Sequence, residues 1–61
     1  MKFENGQLVI VLDIELKPAG NAIVRNYLEE TNIYEVDFIY PNKSGVAHII
    51  IPEDRLLLPT Q

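Results

Sequence analysis

The chain has 61 residues, a formal net charge of −4, no cysteine, one histidine and a hydrophobic content of 48%. A domain of this length buries only about 60% of the surface its unfolded chain exposes, and without Cys or a cluster of His the usual staples, disulfides and structural metal, are excluded, which leaves association as the remaining source of help. The acidic balance, with a pI near 4.6 and five basic residues scattered from Lys2 to Arg55, works against binding to phosphate backbones or anionic membranes, and no run approaches the roughly 20 apolar residues of a membrane helix.

In chain order, Gln7 to Leu16 is rich in Val, Ile and Leu and reads as a first strand, closed by a turn at Lys17-Pro18-Ala19-Gly20 that fits type I with Pro at its second position. Ala22 to Glu29 alternates as a second strand, with Ala22, Val24 and Leu28 on one side and Ile23, Arg25 and Tyr27 on the other; a helix over Ala22 to Glu30 is the alternative for this segment. Glu30-Thr31-Asn32 turns the chain into Ile33 to Tyr40, whose Tyr34, Val36, Phe38 and Tyr40 alternate with Ile33, Glu35, Asp37 and Ile39. Pro41 to Gly45 is a turn by composition, Val46 to Ile51 a fourth strand, Pro52 to Arg55 a short 3₁₀ turn, and Leu56 to Leu58 a last strand stopped by Pro59.

A hairpin of strands two and three turning about Thr31 would set Val24 opposite Phe38, Leu28 opposite Tyr34 and Arg25 opposite Asp37, the last an opposite-charge cross-strand pair. Asn26 is the misfit on the apolar side and calls for a bulge, a hydrogen-bond partner or a place at the rim. The prediction is an all-β single domain over residues 1–61.

Five short strands with a 3₁₀ turn before the last, together with Gly6-x-x-Val9, Gly20-x-x-x-Val24 and Tyr34-x-Val36-x-Phe38, resemble the SH3-like small barrel with the layout of KOW and Tudor-type domains and of the small photosystem I and nitrile-hydratase-type barrels. The resemblance runs from Gly6 to Pro59 and implies a five-stranded barrel whose partners are peptides, proteins or nucleic acids; fold alone does not choose among them. The chain lacks the Trp of polyproline-binding domains, and its loops carry Glu29, Glu30, Glu53 and Asp54 where KOW-type RNA binders are basic. Type II dihydrofolate reductases are similar in size and barrel type, but their Val-Gln-Ile-Tyr run is replaced here by His48-Ile49-Ile50-Ile51.

No nucleotide, metal or nucleophile motif marks a reaction, and no cofactor is expected. His48 is the one group that titrates near neutrality. One register of strand four turns His48 outward beside Arg25 and Asp37 and leaves Val46 and Ile50 outside; the other leaves Ala47, Ile49 and Ile51 outside. Either way an apolar stripe stays on the surface, which points to a subunit interface. The contact residues expected are Ile49, Ile51, Tyr27 and Ile39, with Arg25 and Asp37 setting polarity. Glu29, Glu30, Glu35 and Asp37 read as a solvated acidic face rather than a cation site, and Asp13 and Glu15 as neighbours on one side of strand one. Residues 1–7 lack the apolar stretch of a signal peptide. The expectation is a cytoplasmic, non-enzymatic protein that associates with itself or acts as a small accessory subunit, with nucleic-acid binding or an oligomeric reductase as alternatives.

Overall fold

A computed structural model describes residues 3–28 and 31–59. Within them five strands, β1 (Leu8–Leu12), β2 (Pro18–Leu28), β3 (Ile33–Ile39), β4 (Val46–Pro52) and β5 (Leu56–Leu57), form one antiparallel sheet in the order β4-β3-β2-β1-β5, with a 3₁₀ turn at Glu53–Arg55. The all-β expectation and the 3₁₀ turn before the last strand hold. The expected barrel is not closed: β4 and β5 are the two edges of the sheet. Glu29, expected to end the second strand, and Glu30, in its turn, lie outside the described residues.

One side of the sheet is the core. Val9, Val11, Ala22, Val24, Tyr34, Val36, Ile51 and Leu56 are buried there with Phe3, and Tyr27, Phe38, Ile49 and Leu58 pack against them. Burying a Val, Leu or Ile side chain is worth about 1.5–3 kcal/mol, so this set supplies the drive for folding. The Tyr34 hydroxyl accepts the Phe3 amide at 3.0 Å and donates to Glu53 Oε2 at 3.1 Å, so the one phenol in the centre of the core is satisfied at its polar end. Phe3 meets the Tyr34 ring edge-on at 5.5 Å. The 3₁₀ turn is tied at both ends: Glu53 N donates to Asn32 O at 3.0 Å and Arg55 Nε to Leu12 O at 3.0 Å.

Two expectations about turns and register are corrected. β1 ends at Leu12, and the first turn is Asp13–Lys17 rather than Lys17–Gly20. The Asp13 carboxylate accepts the amides of Glu15 and Lys17 at 2.9 and 3.0 Å, Asp13 N donates to Lys17 O, and Leu16 takes a φ of 64°, so side-chain chemistry places the turn where a short polar residue can cap it. Asp13 and Glu15 are therefore turn residues and not strand neighbours. Pro18 to Gly20 belongs to β2, with a register shift where Val11 pairs Gly20 and Leu12 pairs Pro18. Gly20 serves close packing: a Cβ there would lie 2.8 Å from the Phe38 ring.

In the β2–β3 hairpin Val24 pairs Val36, Ala22 pairs Phe38 and Leu28 pairs Ile33, not the partners expected. The register shifts between Val24 and Asn26, so Arg25 is an extra residue on β2. That bulge resolves the Asn26 misfit, because it sends Asn26 to the outer face opposite Glu35 and brings Tyr27 round opposite Tyr34 on the core face.

Candidate interaction surface

The strand pairings define the outer face without ambiguity, since directly opposed residues share a side of the sheet. One lateral row runs Leu57, Ile10, Asn21, Ile39, Val46 across all five strands. The next runs Leu8, Ile23, Asp37, His48, and the one after it Asn26, Glu35, Ile50. Val46 and Ile50, at 57% and 61% exposed, are the most exposed large aliphatic residues within the strands, and Leu8, Ile39 and Leu57 are exposed as well.

Set within these rows is a chain of charges. Arg25 Nε lies 3.3 Å from Asp37 Oδ2, His48 Nδ1 is 3.1 Å from Asp37 Oδ1, His48 Nε2 is 3.6 Å from Glu35 Oε2, and Asn26 Nδ2 donates to Glu35 Oε1 at 3.2 Å. The sequence residues in contact are thus drawn from a bulge on β2 and from opposed positions of β3 and β4. Arg25 reaches Asp37 from the bulge, although Asp37 is paired in the ladder with Ile23. The hydrogen bond to Asp37, and after it that to Glu35, hold the His48 pKa above its ordinary value, because both carboxylates favour the imidazolium. With His48 protonated, the network alternates cation and anion from Arg25 to Glu35. Both carboxylates thus favour the charged form of an imidazole that stands exposed on the sheet surface.

Of the expected contact residues, Ile39, Arg25 and Asp37 share this outer face with His48. Ile51, 3% exposed, and Ile49 face the core, and Tyr27 is half-buried with its ring 4.7 Å from that of Tyr34 and its hydroxyl donating to Asn32 Oδ1. The outward aliphatics of β4 are instead Val46 and Ile50. The signal for this was present in the Asp37–His48 pairing: with Asp37 outward, an opposed His48 is outward and the odd-numbered isoleucines turn in. Glu35, grouped with the acidic face, is committed to His48 and Asn26, while Glu29 and Glu30 lie outside the described residues.

A shallow, open depression of about 350 Å³ lies at the far end of the β3–β4 hairpin, lined by Thr31, Asn32, Pro52, Glu53 and Asp54. Among the described residues no three His, Asp or Glu side chains are grouped to hold a metal ion, and no helix is long and apolar enough to cross a membrane. Compared with protein-family models, curated proteins and solved structures, the chain matches none.

Proposed function

We propose that this chain is a non-enzymatic interaction module of the SH3-like kind, acting by protein association through its outer sheet face, as a homo-oligomer or as a small accessory subunit. The observation that carries this reading is the aliphatic row across five strands, Leu57, Ile10, Ile39 and Val46 broken only by Asn21, beside a network of paired polar side chains. Apolar rows rimmed by fixed polar groups are what protein interfaces present. The strand order with a 3₁₀ turn between β4 and β5 supports the SH3-like assignment. The acidic charge and the scatter of the five basic residues along the chain favour a protein partner over nucleic acid.

The test is photo-crosslinking in living cells with a benzophenone side chain in place of Ile39, compared with the same side chain in place of Ile14, which is 90% exposed in the Asp13–Lys17 turn. Defined protein adducts should form at position 39 and not at position 14. Equal labelling at the two positions, or none at 39, overturns the reading.

A further inference from the structure

Among the described residues β4 is an edge strand with little of the usual protection beyond His48 and a terminal Pro. It runs seven residues, Val46–Pro52, without a register shift, and carries no Lys, Asp or Glu; Pro52 stands only at its end. Natural sheets blunt such edges with charges, bulges or short length, because unpaired amides and carbonyls template pairing with another strand. The opposite edge obeys the rule, since β5 is only two residues long.

The phase of the β3–β4 ladder says which groups are free. Tyr40 N donates to Gly45 O just before the ladder and Glu53 N donates to Asn32 O just after it. Antiparallel pairs alternate between hydrogen-bonded and non-hydrogen-bonded, and both ends set the same phase: Ala47, Ile49 and Ile51 bond to β3, while the amides and carbonyls of Val46, His48 and Ile50 point to the open edge. Pro52 falls in the outward-pointing set, at the one kind of sheet position where a missing N–H costs no ladder bond.

We propose that this edge pairs antiparallel with β4 of a second copy, about a two-fold axis at His48, so that Val46 lies opposite Ile50 of the other copy on both sides of the axis. The proposal places the association on the edge that adjoins the outer face described above, and it rests on the reading that the chain acts by protein association. Three observations select the second copy and this register. All the free amides and carbonyls of Val46, His48 and Ile50 find partners in it, whereas a shift of the axis to Ile49 sets Val46 against Pro52, which has no donor. The two most exposed large aliphatics of the strands, Val46 and Ile50, cover each other, where the shifted register would set Ile50 against His48. Continued past the ladder, the register brings the Pro41–Gly45 turn, with Lys43, alongside the other copy's Glu53–Arg55 turn, whose Glu53 and Asp54 are acidic and whose Arg55 is engaged by Leu12 of its own chain. The two His48 side chains meet at the axis, each held by its own Asp37 and Glu35. Isologous closure of this kind joins the two sheets and removes the edge.

The decisive experiment uses the full 61-residue chain, made by chemical synthesis with an N-methyl group on Ile50, which blocks one outward amide and leaves every side chain in place. Light scattering across a dilution series should give the unmodified chain a mass approaching twice 7.0 kDa at roughly millimolar concentration, the range expected of a small patch. The N-methyl chain should stay at 7.0 kDa with an unchanged β-sheet circular dichroism spectrum. Amide exchange of the unmodified chain gives a readout that needs no variant: protection at Val46, His48 and Ile50 should rise with concentration while Ala47, Ile49 and Ile51 are protected throughout. Concentration-independent exchange at the three even positions overturns the proposal, as does an N-methyl chain that still dimerises. In that case adducts at position 39 would keep the broader reading, and their absence would end both.

Discussion

At the scale of the residue, His48 is the group whose state depends most on pH. Its imidazole is solvent-exposed yet sits with one nitrogen 3.1 Å from Asp37 and the other 3.6 Å from Glu35, and its pKa is raised, Asp37 being the larger cause. Since the folded chain holds the proton more tightly than the unfolded chain, the contribution to stability is fully present below the ordinary histidine value and is lost as pH rises through the raised one. Three changes follow from this geometry. In an NMR titration Asp37→Asn should bring the His48 midpoint down towards the ordinary value, Glu35→Gln should do so by less, and His48→Gln should remove this stretch of pH dependence from the urea unfolding midpoint. A midpoint unmoved in Asp37→Asn would show that the carboxylate does not hold the proton.

At the scale of the element, the turns decide where the strands lie. The Asp13–Lys17 turn hangs on one carboxylate that accepts two amides, and it holds Leu16 in the left-handed region. Asp13→Ala should lower stability by about 1–2 kcal/mol, a partly hydrated version of the loss expected for hydrogen bonds to a charged group, whereas Asp13→Asn, which keeps one acceptor oxygen, should lose less than half of that; urea unfolding of the two variants measures the difference. This turn also shows what was legible in the chain. Alternation in Ile33–Ile39, the Pro and Gly punctuation after it and the Pro52 boundary were enough to place β3, β4, the 3₁₀ turn and β5. The first turn was hidden because Ile14 and Leu16 look like strand residues; they are exposed, and the cap that puts them there is a local side-chain bond that hydropathy does not register. The bulge at Arg25 was hidden for a different reason. It exists because Tyr27 packs on Tyr34 while Val24 packs on Val36, two tertiary contacts that an unbroken period of two cannot satisfy together. Arg25 and Asp37 could still be recognised as a pair, because a long guanidinium tolerates the shift of one residue that a short aliphatic does not.

At the scale of the molecule, the question is how so small a domain stays folded with aliphatics on its outer face. The core fills one side of the sheet, and a chain of 61 residues at the usual 0.05–0.15 kcal/mol per residue has roughly 3–9 kcal/mol in hand. An edge-to-edge dimer would add to this by mass action, because it forms from the folded chain and not from the unfolded one. Above the dissociation constant, each tenfold rise in concentration should then stabilise a chain by about 0.7 kcal/mol, half of the 1.4 kcal/mol that a factor of ten is worth for the pair. For a domain of this size that corresponds to a Tm higher by roughly 3–6 °C per decade. Calorimetry of the unmodified chain should show this slope, flattening at dilutions where the monomer prevails, and the chain N-methylated at Ile50 should show no slope at any concentration. Equal slopes in the two would locate the association elsewhere on the outer face, on the aliphatic row through Ile39 rather than on the backbone of β4, and a flat Tm in the unmodified chain would leave the core alone responsible for its stability.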